Sequence, residues 1–265
     1  MNNPIGVMDS GVGGLTVLKA LRQQLPHEDM VYVGDEKHCP YGVRTPEEIS
    51  QFVEEIAQFL VQHYHIKMFV IACNTASAFA LPAIQEKLDI PVIGMIDNGS
   101  LAAVQATKTK HIALLATEGT VKSQNYTKCI HSLDPNSKVT GIACQEFVRL
   151  IEEGAAHSKE AQPIIQKNLA GLKESNIDTI ILGCTHFPLI QSLIQSYVGE
   201  DKQLIDAGEA SARKAAAVLQ EQHLLANRKE QGKMTLLTTG TPQSMMRVAH
   251  QWIEPNIAVQ TIEVK

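Results

Sequence analysis

The chain has 265 residues, 44% of them hydrophobic and 19% charged, with a formal net charge of -5. That length suits one large domain or two smaller ones with cores of their own. The acidic balance and the scattered lysines and arginines argue against nucleic acid as a partner, because its binders carry a basic stripe.

Strand-like and helix-like segments alternate from the start. Residues 5–8 form a short apolar run that ends at Asp9, and 17–25 has helical spacing that stops before Pro26. A second strand covers 30–33. Thr45-Pro46-Glu47-Glu48 then reads as a helix start, with Thr45 as cap, Pro46 in the first turn and Glu48 closing a capping box. Ile49, Phe52, Val53, Ile56, Phe59 and Leu60 follow on one apolar face and read as core. Further strands are expected at 68–72 and 92–96, with a helix over 76–88 between them. The same theme recurs at 111–115, 139–143, 179–182 and 204–206, and a last strand at 234–238 precedes a helix over 242–252. This rhythm predicts mostly parallel sheets covered by helices.

The rhythm runs twice. Ile5 to Asp9 leads into Ser10-Gly11, and Ile112 to Leu115 leads into Thr117-Glu118-Gly119-Thr120. Later in each round an apolar run ends in a cysteine: Val70-Ile71-Ala72-Cys73-Asn74-Thr75 and Ile181-Leu182-Gly183-Cys184-Thr185-His186. Ligands of open α/β sheets bind where such strands end. The expected fold class is therefore α/β, with two similar domains, each a mostly parallel sheet flanked by helices, and the active site between them.

Five cysteines, at 39, 73, 129, 144 and 184, show neither the tight spacing of a metal motif nor an even disulfide framework. No stretch approaches a membrane span, and Met1-Asn2-Asn3-Pro4 lacks the basic start of a signal peptide. A cytoplasmic protein with no membrane partner is expected. Cys129 and Cys144 read as packing residues or incidental thiols. Cys39, in the loop Cys39-Pro40-Tyr41-Gly42, reads as a packing or incidental thiol near the site.

Asp9-Ser10-Gly11-Val12-Gly13-Gly14 is a Gly-rich turn between strand and helix. It lacks the lysine of a phosphate loop, and Asp9 suits an ammonium group or proton management better than a phosphate. Either cysteine alone reads as a small buried hydrophobe; the matched contexts point to a shared site. His186 stands two residues after Cys184, where it can relay a proton or shift the thiol. A phosphatase loop would need an arginine soon after its cysteine. A zinc site built on Cys73, Cys184 and His186 lacks a second ligand pair. A cysteine protease leaves the second thiol unused. Two thiols facing one carbon suit stereoinversion, in which one removes a proton from one face and the other returns a proton to the opposite face. Ser10, Asn74, Thr75 and Thr185 supply hydrogen bonds for a carboxylate and an ammonium.

At these residues the chain resembles the glutamate racemases of the aspartate/glutamate racemase superfamily. The matching pieces are Asp9-Ser10-Gly11-Val12-Gly13-Gly14-Leu15-Thr16-Val17, Gly34-Asp35, Pro40-Tyr41-Gly42, Ala72-Cys73-Asn74-Thr75-Ala76-Ser77, Ile90-Pro91-Val92-Ile93-Gly94, Glu118-Gly119-Thr120 and Gly183-Cys184-Thr185-His186-Phe187-Pro188-Leu189. The resemblance implies racemisation of L- and D-glutamate with no cofactor and no metal, Cys73 acting on D-glutamate and Cys184 on L-glutamate. It implies that Asp9, Ser10, Tyr41, Gly42, Asn74, Thr75, Thr185 and His186 bind substrate. Asp9, Asp35, Glu152 and His186 would assist the thiols. It further implies a homodimer and a product, D-glutamate, used in bacterial peptidoglycan. The first domain would comprise 1–97 plus 208–265, and the second 98–207, a return that rests partly on the resemblance. Three places depart from the family pattern: Asp97-Asn98-Gly99-Ser100 at the domain crossing, Ala116, and Ala143-Cys144-Gln145-Glu146-Phe147-Val148-Arg149 on the expected second wall of the pocket.

Overall fold

The computed structural model describes residues 2–155, 158, 161–254 and 256–264. In chain order its elements begin with β1 (Ile5–Asp9), α1 (Leu15–Gln24), β2 (Met30–Gly34), α2 (Pro46–Tyr64), β3 (Met68–Ile71), α3 (Asn74–Lys87), β4 (Val92–Ile93) and α4 (Ile96–Ala106). There follow β5 (His111–Ala116), α5 (Glu118–Ser123), α6 (Asn125–Leu133), β6 (Lys138–Ala143), α7 (Gln145–Glu152), α8 (Ala161–Leu169) and β7 (Thr179–Gly183). The chain closes with α9 (Gln191–Val198), β8 (Gln203–Asp206), α10 (Ala207–Glu221), β9 (Met234–Thr238), α11 (Pro242–Trp252) and β10 (Val259–Thr261).

These strands form two sheets. The first runs β10-β9-β2-β1-β3-β4 and the second β6-β5-β7-β8, and every pairing is parallel. The order β2-β1-β3-β4 in the first sheet is the order β6-β5-β7-β8 in the second, so the twofold rhythm of the sequence is a twofold topology. β1, β2, β3 and β7 are buried along their whole length, as expected of parallel strands covered on both faces. Alternate residues feed two separate cores: Val7, Tyr32 and Val70 face one side of the first sheet, and Met8, Val33 and Ile71 the other.

The helix start at Thr45 forms as expected. Its side chain accepts from the Glu48 N–H while Glu48 accepts from the Thr45 N–H. The strand expected over 92–96 is shorter. Past Ile93 the backbone leaves the ladder for side chains: Ser77 Oγ accepts from the Met95 N–H, and the Gly94 carbonyl takes Asn98 Nδ2 and Ser211 Oγ. The chain then turns into α4, which carries the departing Asp97–Ser100 segment.

β9 and β10 return the end of the chain to the first sheet. The segment after α10 is pinned by a buried pair, Lys67 Nζ to Glu28 Oε2 at 2.6 Å. Lys67 also donates to the Leu224 carbonyl, and Glu28 accepts from the Ala226 N–H. No described helix is long and apolar enough to cross a membrane.

Candidate active site

In both sheets the chain goes from its first strand to one neighbour and then crosses to the other side. β1 and β3, and likewise β5 and β7, therefore flank a topological switch point, the place where such sheets bind ligands. Ser10 follows β1, Cys73 follows β3, Thr117 follows β5 and Cys184 follows β7. All four line one cavity between the two sheets, together with Tyr41, Gly42, Asn74, Thr75, Glu152, Thr185 and His186.

Cys73 is the N-cap of α3: its Sγ accepts from the Ala76 N–H at 3.4 Å and donates to Ser10 Oγ at 3.7 Å. Burial, and then the nearby Asp9 charge, push this thiol up to about 12, against the pull of the helix N–H and Ser10. At neutral pH it is a protonated thiol.

Cys184 has a different neighbour. Its Sγ lies 3.8 Å from His186 Nδ1. His186 Nε2 stands 3.2 Å from Glu152 Oε1 but is not aligned with it as a hydrogen bond, so the contact is an ion pair. Burial opposes the imidazolium, yet Cys184, Glu152 and Asp9 together bring His186 up to about 10. Burial also works against the Glu152 carboxylate, and His186 more than offsets it, holding Glu152 below the usual range. Cys39 Sγ reaches the same Glu152 oxygen at 3.7 Å.

Asp9 and Asp35 stand behind the cavity rather than in its lining. Asp9 is fully buried. It accepts from the Gly11 N–H at 3.0 Å and from Thr185 Oγ1 at 3.2 Å. Burial pushes its carboxyl up, while His186 and the Gly11 and Gly14 N–H groups pull it down. Asp35 accepts from Tyr41 Oη at 2.6 Å and from Thr239 Oγ1 at 2.7 Å, and His38 Nδ1 lies 2.9 Å away. Tyr41, which lines the cavity, joins Asp35 to it. The Gly-rich turn serves close approach: a Cβ on Gly13 would lie 2.5 Å from His186 Nδ1 and collide with Thr185 Oγ1.

The seam between the sheets is polar. Thr75 Oγ1 lies 2.9 Å from Thr117 Oγ1 and 3.2 Å from Thr120 Oγ1. Tyr126 Oη donates to Asn74 Oδ1 at 2.6 Å, and Thr16 Oγ1 to the Thr185 carbonyl at 3.0 Å. Asn125 Nδ2 donates to the Ala78 carbonyl. Pro82 in α3 has no N–H for that carbonyl, so the second lobe supplies the bond the helix lacks.

Sequence reasoning did not assign Pro40, Thr117, Gln145, Val148 or Gly183 to the lining, and it left Cys39 beside the site. Thr117 and Gly183 were reachable, since they occupy strand ends in the repeated pattern. Val148 and Gln145 carry no local signal. Cys144 is buried packing in a core against the second sheet, as read. Among the described residues no group of three His, Cys, Asp or Glu side chains is placed to hold a metal.

Fold and site together define a two-lobed α/β protein that presents one thiol from each lobe to a common cavity. A family model described as Asp/Glu/Hydantoin racemase matches residues 5–215. A glutamate racemase of Levilactobacillus brevis is 46% identical over 253 residues, covering 96% of this chain and 92% of the relative. A solved glutamate racemase isoform from Bacillus anthracis superposes with a TM-score of 0.95 at 40% identity, covering 99% of this chain and 98% of that one. A Francisella tularensis glutamate racemase solved with D-glutamate gives 0.91 at 33% identity, covering 100% and 98%. The chain belongs to the Asp/Glu/Hydantoin racemase family, and the resemblance read from its motifs holds.

Proposed function

We propose that this enzyme is a glutamate racemase that interconverts L- and D-glutamate with two cysteines and no cofactor. The observation that supports it most is the pair of switch-point thiols, one from each lobe, on one cavity. In the L-to-D direction Cys184, as thiolate, takes the Cα proton. Negative charge then resides on Cα and the adjoining carboxylate. The Cys73 thiol delivers its proton to the opposite face and becomes the thiolate. The reverse direction exchanges the roles. His186 supports the first arrangement, because its positive charge lies 3.8 Å from Cys184 Sγ.

Substrate groups have suitable partners. Ser10, Asn74, Thr75 and Thr185 offer hydrogen bonds to the α-carboxylate, and Asp9 offers negative charge for the ammonium. Tyr41 and Gly42, held from behind by Asp35, lie toward the substrate side chain. The cavity has about 20 Å³ of free volume, on the scale of a single water, so glutamate enters when the lobes part and is enclosed when they close. The polar seam suits such motion, since its hydrogen bonds can be exchanged with water. The parting units are 1–97 plus 208–265 and 98–207. The same reading makes the enzyme a cytoplasmic homodimer that supplies D-glutamate for peptidoglycan.

The test is incubation with L-glutamate in heavy water without pyridoxal phosphate. D-glutamate carrying deuterium at Cα is expected. Unchanged optical rotation with no deuterium would reject the proposal. Aspartate tested alongside settles the substrate within the family.

A further inference from the structure

The second-lobe wall of the cavity holds a group that the scheme above does not use. Gln145 opens α7 and lines the cavity. Its Oε1 is sealed from solvent and has no hydrogen-bond partner among the described residues. A buried amide is expected to be paired, and one left open inside a binding cavity is available to a ligand. Its position narrows the ligand group. A Cβ on Gly42 would stand 3.1 Å from Gln145 Oε1 and 3.2 Å from Thr117 Cβ, so the amide lies against Gly42. Asp9, the carboxylate proposed above for the ammonium, is bonded instead to Thr185 Oγ1.

We propose that Gln145 is a specificity-determining residue whose carboxamide binds the side-chain carboxylate of the amino-acid substrate. Turning the amide about its terminal bond exchanges oxygen for nitrogen and presents an Nε2–H donor to that carboxylate. Neither composition nor periodicity marks this residue; it sits in the segment where the chain departs from the family pattern. The proposal rests on the glutamate racemase reading.

The test compares wild type with Gln145→Glu and Gln145→Met, both close to glutamine in length. Each is assayed for KM and kcat with L-glutamate, and for inhibition by L-norvaline, which has the same chain length but no side-chain carboxylate. Gln145→Glu sets two negative charges together, and KM for glutamate should rise about ten-fold or more, with a smaller rise for Gln145→Met. kcat should change less than KM, and the norvaline inhibition constant should stay within about two-fold. Unchanged glutamate KM in both variants would overturn the proposal. So would a norvaline constant that moves in step with KM, because that marks a general disturbance of the cavity. A wild-type enzyme without racemase activity would instead reject the function itself, so the two failures are distinguishable.

Discussion

The two lobes repeat one topology and furnish their thiols differently. After β3 the chain enters a regular helix at once, and Cys73 caps it with the Ala76 N–H on its sulfur. After β7 the chain passes Thr185 and His186 into a 3-10 turn, Phe187–Ile190, with Pro188 at its start. The second thiol thus has an imidazole where the first has a helix end. Asp9 adds negative charge near Cys73, and Glu152 anchors the imidazolium near Cys184. The repeat places two sulfurs on one cavity. The departures from the repeat give them unequal surroundings, a helix N–H and Ser10 at Cys73 and an imidazole at Cys184, and the proposed two-base inversion needs such a difference, one donor and one acceptor at the start of each turnover.

The most forceful way to break this comparison is to remove one sulfur at a time. Cys73→Ala and Cys184→Ala should each lower racemisation by at least about 10³-fold, since on the proposed mechanism each removes an obligatory acid or base. In the proposed scheme the remaining sulfur still faces one side of Cα. Cys184→Ala should therefore exchange the Cα proton of D-glutamate with heavy water and leave L-glutamate untouched, and Cys73→Ala should do the converse. Exchange of the same enantiomer by both variants would place both sulfurs on one face.

His186→Asn tests whether the second thiol depends on its imidazole. A loss of about 10²-fold in kcat is expected. The enantiomers have equal free energies in water, so kcat/KM must be the same in both directions for every variant. A difference between the two directions can therefore appear only in how kcat and KM divide. The same variant has a stability signature. His186 is raised from an ordinary 6.5 to about 10 in the folded protein. Its contribution to stability is therefore complete below pH 6.5 and is lost as pH rises toward 10. The wild-type melting temperature should fall across that window, and His186→Asn should flatten the fall. A slope unchanged by the substitution would assign the pH dependence to other groups.

Gly13→Ala probes the approach of the first lobe to Thr185 and His186. A methyl group there meets His186 Nδ1 at 2.5 Å, so closure should be incomplete. A loss of about ten-fold in kcat/KM is expected, with circular dichroism unchanged. Full activity would mean that the closed approach is not the working one.

Much of this was legible in the chain because periodicity and repetition are local. The buried strands, the capping box at Thr45 and the two strand-end cysteines all followed from neighbouring residues. What was not legible depends on the lobes meeting. Nothing near Asp35 says that it meets the cavity lining through the Tyr41 hydroxyl. Likewise Val148 and Gln145 become lining residues because α7 is carried to the seam, and their own spacing is that of an ordinary helix. Asn125-Tyr126-Thr127 matches a glycosylation sequon, but its first two residues bond across the seam to Ala78 and Asn74.

That last contact offers the smallest test of the asymmetry. α3, the helix that presents Cys73, lacks one internal hydrogen bond because of Pro82, and Asn125 from the second lobe supplies the donor. Asn125→Ala leaves the Ala78 carbonyl without it, and should cost about 1 kcal/mol in denaturant unfolding. Pro82→Ala restores an N–H four residues after Ala78, so the helix can close the bond by itself. In that background the cost of Asn125→Ala should shrink, giving a non-additive double-mutant cycle. Additive costs would mean that the second lobe does not complete this helix, and that Cys73 rests on the helix start alone.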